Sequence, residues 1–155
     1  MAIKKPLVIT NGQIEQLQAG DTIANPNVVS RLNQSGGTIN IGMPVYVDGA
    51  GTVAPALADA VSTAQVVGLM AEDTANNVSG NVQTEGFFTA NTAQWDAIAG
   101  TTGGLTAGTR YYVDPTTAGN ITASAPTVDG DVVAPIGVAA STTELEISIQ
   151  TTVRL

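Results

Sequence analysis

From Thr38 onward the chain is written in short β-prone runs, broken at close intervals by Gly, Pro, Asp and Asn, and this punctuation restricts it to an all-β architecture. The runs are "TINIG", "PVYVD", "GTVAPAL", "AQVVGLMAE", "NVQTEGFF", "TRYYVD", "NITAS", "VVAPIGVAA" and "ELEISIQTTV". β-Branched residues fit a pleated, half-buried surface, and the turn residues between them set the spacing of a sandwich or barrel. In the last run Glu144 and Glu146 alternate with Leu145, Ile147 and Ile149, which places the acids on a solvent face and the aliphatics on a core face. One segment departs from the pattern. "NTAQWDAIAG" offers Asn91 or Thr92 as an N-cap, then Trp95, Ile98 and Ala99 at helical spacing, then Gly100 where helices stop. It predicts one short helix, with Trp95 as a core residue plugging one end of the barrel.

The chain also repeats itself. "GMPVYVDGAGTVAPAL" (42–57) is echoed by "GTRYYVDPTTAGNITASAP" (108–126): Tyr46 falls on Tyr112, Val47 on Val113, Asp48 on Asp114 and, past a turn, Val53 on Ile121. Each copy then reaches an apolar run broken by one glycine, Gly68 or Gly137, 22 and 25 residues after its tyrosine. Two related β units, about 38–75 and 104–143, packed about a common core are the simplest reading.

A chain of 155 residues makes one compact domain, or one small domain with an arm. Aromatics are 4% of it, so packing must come from Val, Ile, Leu and closely approaching Ala. Such a core is thin for a monomer, and an oligomer is expected. Charge divides the chain. Residues 1–31 carry +1, with Lys4, Lys5 and Arg31 against Glu15 and Asp21, whereas residues 32–153 carry eleven acids against Arg110 alone. The opening also reads differently: "PLVIT" predicts a strand from Leu7 to Thr10, Asn11-Gly12 a tight hairpin turn, and "QIEQLQ" a second strand-like segment containing Ile14 and Leu17. Residues 1–31 are therefore read as an extended arm on a β body, 32–155, although an ordinary edge hairpin of the same domain fits as well.

Chemistry is harder to find. His and Cys are absent, which removes the usual general base, the thiol nucleophile, disulfides and the commonest zinc ligands. Asp48 and Asp114 stand at turn entries, and Asp129 and Asp131 flank Gly130 in what reads as a turn, without the later acids of a calcium loop. "GTTGGLTAGT" has glycines but no lysine for a P-loop, and reads as a loop needing positive φ. The acidic body should repel nucleic acid, and no apolar stretch approaches the length of a membrane span. The apolar run after Lys4 and Lys5 is too short for a secretory signal, and the N-x-S/T matches at Asn33, Asn77 and Asn120 are read as chance. No catalytic, cofactor-binding or metal-binding residue is assigned, and no enzyme is expected.

Two stretches resemble virion proteins of tailed bacteriophages. "KPLVITNGQIEQLQAGDTI" is similar to a short leader on many such proteins, and "QWDAIAGTTGGLTAGTRYYVDPTTAGNITASAPT" with "PIGVAASTTELEISI" resembles a module of capsid decoration (cement) proteins and some phage fibres. The resemblance implies a structural protein with a β-barrel or β-tulip body that assembles as a homotrimer. On this reading it decorates the outer surface of a mature head, its partner is the major capsid protein, and the arm residues Lys4, Lys5, Leu7, Ile9, Ile14 and Leu17 make the contact. A small tail fibre, baseplate or adaptor protein is the alternative it leaves open.

Overall fold

A computed structural model describes residues 27–155 in full and, ahead of them, the backbone of two strands, β1 (Leu7–Thr10) and β2 (Gln13–Gln16). The fold is all-β with one helix. Strands β3 (Val28–Asn33), β4 (Pro44–Gly49), β5 (Thr52–Pro55), β6 (Val66–Met70) and β7 (Ser79–Gln83) close into a barrel in the order β3-β5-β4-β6-β7. Next come β8 (Gly86–Thr89), α1 (Thr92–Ala99), β9 (Arg110–Val113), β10 (Ile121–Thr122), β11 (Val132–Val133), β12 (Pro135–Ala139), β13 (Glu144–Ile147) and β14 (Val153–Arg154). Five of these form an open sheet, β10-β9-β12-β13-β8, and β11 pairs with β14 separately.

Opened between β3 and β5, the barrel runs β5-β4-β6-β7-β3, which is the order of the second sheet: third, second, fourth, fifth and first strand of each set, with β11 set aside. The registers agree as well. Val47 faces Val53 as Val113 faces Ile121, and Val45 faces Gly68 as Tyr111 faces Gly137. Each central pair carries a register shift at the same place, with Val67 and Ile136 as the extra residues. An extra residue resets the two-residue alternation, so Val66 and Leu69 share one face of β6 while Val67 and Met70 share the other. Tyr46 and Tyr112 stand at equivalent positions and both are half-buried.

The two hairpins do not share one core. Ile39, Val45, Val53, Met70 and Val82 fill the barrel, whereas Tyr111, Val113 and Ile121 belong to a larger cluster built on the open sheet. That cluster also takes Ala56, Ala58, Ala64, Val66 and Leu69 from the barrel side, so the two sheets pack through small residues. Positions equivalent by register show why only one sheet closes. The barrel has Val45, Val53, Met70, Val82 and half-buried Val29; the sheet has Tyr111, Ile121, Ala139, Leu145 and Phe88. A closed five-stranded wall has a narrow interior, and the aromatic set exceeds it.

The helix occupies the place that closure would take. Ten residues join β3 to β4, but twenty join β8 to β9, and the additional length contains α1, which lies against β10. A capping box starts the helix: Asn91 Oδ1 accepts from Gln94 N–H (2.9 Å) and Gln94 Oε1 from Asn91 N–H (2.8 Å). Gly100, at φ 63°, ends it. Trp95 is fully buried edge-on to Phe88 at 5.7 Å, with its Nε1–H donated to Thr143 C=O (3.1 Å). It is core, but beneath the open sheet rather than plugging the barrel, because α1 belongs to the second strand set.

The boundary of the arm also moves. β3 begins at Val28, and Arg31 pairs with Gly80, so residues 28–31 belong to the barrel wall. "TINIG" supplies a single bridge, Ile39 with Thr74, instead of a strand. "NVQTEGFF" divides into β7 and β8 at Gly86, whose φ of 84° turns the chain out of one sheet into the other. "ELEISIQTTV" likewise serves two sheets, as β13 and β14. At the barrel mouth, buried Asn33 uses its whole amide: Nδ2 donates to Gly37 and Thr74 carbonyls (2.8 and 2.7 Å), and Oδ1 accepts from Ser35 N–H and Oγ–H (2.9 and 2.8 Å). Every buried side-chain N or O among the described residues has a partner.

Gly68 and Gly137 allow the close approach of neighbouring strands: a Cβ at either would collide with a backbone carbonyl, that of Gln83 or of Glu146. Because backbone inside a sheet has little freedom to shift, Gly68→Ala and Gly137→Ala should each cost about 1–3 kcal/mol in urea unfolding. Gly37→Ala, with open space around it, should stay within about 0.5 kcal/mol of the parent.

Candidate functional site

Of the arm residues, Lys4, Lys5 and Leu17 lie outside the described residues. Leu7 and Ile9 are on β1 and Ile14 is on β2; the antiparallel register sets Ile9 opposite Ile14 and Leu7 opposite Gln16. The Asn11-Gly12 turn expected between them lies outside the described residues. The arm leaves the body at Asn27, whose carbonyl accepts from Thr84 N–H (2.8 Å) and Thr84 Oγ1–H (3.1 Å) and whose side-chain amide lies beside Gly86. The exit is therefore at the start of β8.

β8 is an outer strand of the open sheet. Ala90 N–H donates to Thr143 C=O (3.0 Å), which fixes the parity of the β8–β13 ladder. Gly86 and Phe88 then turn their backbone groups toward β13, and Phe87 and Thr89 turn theirs outward. Gln83 meets that edge, its Nε2–H donated to the Phe87 carbonyl (3.0 Å). The Phe87 side chain is 60% exposed, with Glu146 opposite it across the ladder and Glu85 and Glu144 close by in sequence and register. Sequence reading did not single out this position: "NVQTEGFF" was read only as a β-prone run, and of its two phenylalanines Phe88 is buried and Phe87 is not.

Several carboxylates accept hydrogen bonds within turns and loops. Asp114 accepts from Thr116 N–H and Oγ1–H (2.7 and 2.6 Å) and from Thr117 N–H (2.9 Å), the turn role its position implies. Burial opposes its ionisation, but these donors outweigh burial and hold its carboxyl below the ordinary range. Asp48 accepts from Thr52 Oγ1–H (2.6 Å), Glu72 from Asn81 N–H (3.0 Å) and Asp73 from Ile41 N–H (2.8 Å). Asp129 and Asp131 lie at the turn before β11, where Asp131 N–H donates to Val128 C=O (3.1 Å). The described residues contain no group of three or more acids placed to hold a metal.

Asp96, which sequence reading passed over, does the most of this work. Near the end of α1 it accepts from Thr101 Oγ1–H (2.8 Å), Gly103 N–H (2.9 Å) and Gly104 N–H (2.8 Å), gathering the glycine-rich loop. Gly100, Gly103, Gly104 and Gly108 all have positive φ, as that loop was read to need. The signal available in the sequence was an acid near a helix end, followed within eight residues by closely spaced glycines whose N–H groups are unobstructed. A groove of about 340 Å³ between the barrel loops and α1 is lined by Asn40, Ile41, Asp73, Asn91, Gln94 and Ile98. Its Asp73, Asn91 and Gln94 are already bonded to Ile41 and within the capping box, so it presents no poised acid, base or nucleophile.

No helix among the described residues is long and apolar enough to cross a membrane. Comparison of the chain with protein-family models, with characterised proteins and with solved structures finds no match.

The Gly104 amide is the largest influence on the Asp96 carboxyl; desolvation pushes the other way, and the Thr101 and Gly103 bonds help to hold it below its ordinary value. With the folded value depressed, the stabilisation is present above the unfolded value and is lost as pH falls through the folded one. In an acid titration by NMR, the Gly103 and Gly104 amides should shift together, at a midpoint below that of an unfolded Asp. Asp96→Asn should abolish that transition.

Proposed function

We propose that this chain is a structural protein of a tailed-phage particle, a decoration protein that binds the outer surface of the mature head as a homotrimer with the major capsid protein as its partner. The observation that carries the reading is a division of roles. The body is acidic, and Asp48, Glu72, Asp73, Asp96 and Asp114 are bonded within turns and loops, while Lys4 and Lys5 stand in the sequence ahead of a hairpin whose strands pair with each other. The likeness of the leader to that of many tailed-phage virion proteins, and of the 94–127 stretch to a module of capsid decoration proteins and some fibres, supports the particle type.

In this reading the chemistry is geometric. A trimer on a local three-fold axis touches several shell subunits at once, so weak contacts reinforce one another through effective concentration. Contacts made only with the mature lattice stabilise that lattice by linkage. Lys4 and Lys5 meet acidic shell surface, and the β1–β2 hairpin, with Leu7, Ile9, Ile14 and Leu17, adds to an exposed strand edge of a shell subunit.

Cosedimentation of the purified protein with expanded heads stripped of it tests the reading. Saturation at on the order of hundreds of copies per particle, in a multiple of three, is the expected result. Saturation at about a dozen, or no binding to heads, would move the protein to the tail.

A further inference from the structure

We propose that the groove between α1 and the barrel loops is a binding site for an uncharged saccharide. The inference goes beyond the reading above and stands whether or not the chain belongs to a phage particle. It rests on a fixed frame, on the polar groups that internal bonding leaves over, and on the apolar surface between them.

The frame is held on both sides. On the barrel side, the segment carrying Asn40 and Ile41 is laced to the one carrying Asp73: Ile39 and Thr74 exchange both backbone bonds (2.9 and 2.8 Å), and Ile41 N–H donates to Asp73 Oδ1 (2.8 Å). On the other side Asn91, Gln94 and Ile98 follow one another at helical spacing along one face of α1. Gly42 brings the two walls together, since a Cβ there would stand 3.1 Å from Ile98 Cδ1. The space they enclose, about 340 Å³, is in the range of small-ligand sites.

Hydrogen bonds within the chain decide what the walls can still offer. The capping box commits Asn91 Oδ1 to Gln94 N–H and Gln94 Oε1 to Asn91 N–H. Each side-chain amide is thereby fixed in orientation, and its NH2 group makes no hydrogen bond among the described residues. Asp73 is the converse: Oδ1 is held by Ile41, and Oδ2 accepts from nothing among the described residues. Donors therefore belong to the helix wall and a carboxylate oxygen to the barrel wall. The apolar lining is Ile41, Ile98, Ala93 and Ala97.

That pattern selects the ligand. A hydroxyl accepts from an amide and donates to a carboxylate at the same time, so a ring carrying several of them serves both walls. An anion would meet the NH2 groups but face Asp73 in a body of net negative charge. A cation would meet Asp73 but face the NH2 groups. Either would leave one wall desolvated and unpaired, which costs affinity. The aliphatic lining takes the C–H face of the sugar ring.

NMR titration of the isotopically labelled full chain with methyl glucoside, methyl galactoside and N-acetylglucosamine tests this. The side-chain NH2 signals of Asn91 and Gln94 and the Ile41 amide should shift together and saturate with at least one of the three, at a Kd on the order of millimolar. Two variants keep the internal bonds and change only the free atoms: Asp73→Asn still accepts from Ile41, and Asn91→Asp still caps α1. Each should weaken binding at least about fivefold, with the Phe88 and Leu145 amides unmoved to show that the fold is kept. Asp48→Asn, outside the groove, should bind as the parent does. Absence of saturable shifts with all three sugars would overturn the proposal, as would equal affinity in the parent and both groove variants. Glucuronate binding as tightly as methyl glucoside would overturn the selection of an uncharged ligand.

Discussion

How much side-chain volume five strands can enclose decides the form of this protein. Neighbours in an antiparallel sheet alternate in direction, so the two ends of a five-stranded one run the same way and must join, if at all, as a parallel pair. β3 and β5 make that pair. The walls then surround Val45, Val53, Met70, Val82 and Ile39, with no aromatic ring among them. The second sheet has the same strand order and the same displaced residue, but aromatics at two of the equivalent positions. It stays open, and its larger core is completed by Trp95 and Ile98 from α1 and by small residues on the barrel exterior. One strand plan thus gives a sealed unit and an unsealed one, and the difference follows from side-chain size.

The polar interior obeys the same economy of space. Asn33 supplies four side-chain hydrogen bonds at the barrel mouth, tying the 35–37 turn to the segment around Thr74. Thr74 in turn fills the space left by Gly80, where a Cβ would meet its side chain. Asp96 and Asp114 act similarly at the surface, each collecting three donors from the few residues that follow it in space. In a chain with few large side chains, irregular segments are held by carboxylates and amides bonded to backbone rather than by buried rings.

What could be read in advance was what local chemistry determines. The caps Asn91 and Gly100, the turn at Asp114, the alternation of Leu145 and Ile147 with Glu146, and the first hairpin strand all rest on neighbours within a few residues. The textual echo of Tyr46 and Tyr112 even carried the register, because Gly68 and Gly137 mark the one place where each strand pair approaches most closely. Partition into sheets was not legible. "NVQTEGFF" and "ELEISIQTTV" each look continuous, and only tertiary pairing divides them. β3 was overlooked because Ser30, Arg31 and Asn33 interrupt its apolar pattern, and its role depends on distant strands. Of the candidate site, the arm was visible as a change in charge and turn signals, whereas the exposure of Phe87 follows from a strand edge that no single segment reveals.

The attachment at Asn27 has a mechanical consequence. The arm continues directly into β3, which is bonded to β7 on one side and to β5 on the other. Tension on the arm would run along β3, at right angles to the hydrogen bonds it makes with β7. Those bonds would have to yield together rather than one after another. A tether joined to a strand in the closed half of the molecule is anchored in shear, and the load passes into the barrel wall.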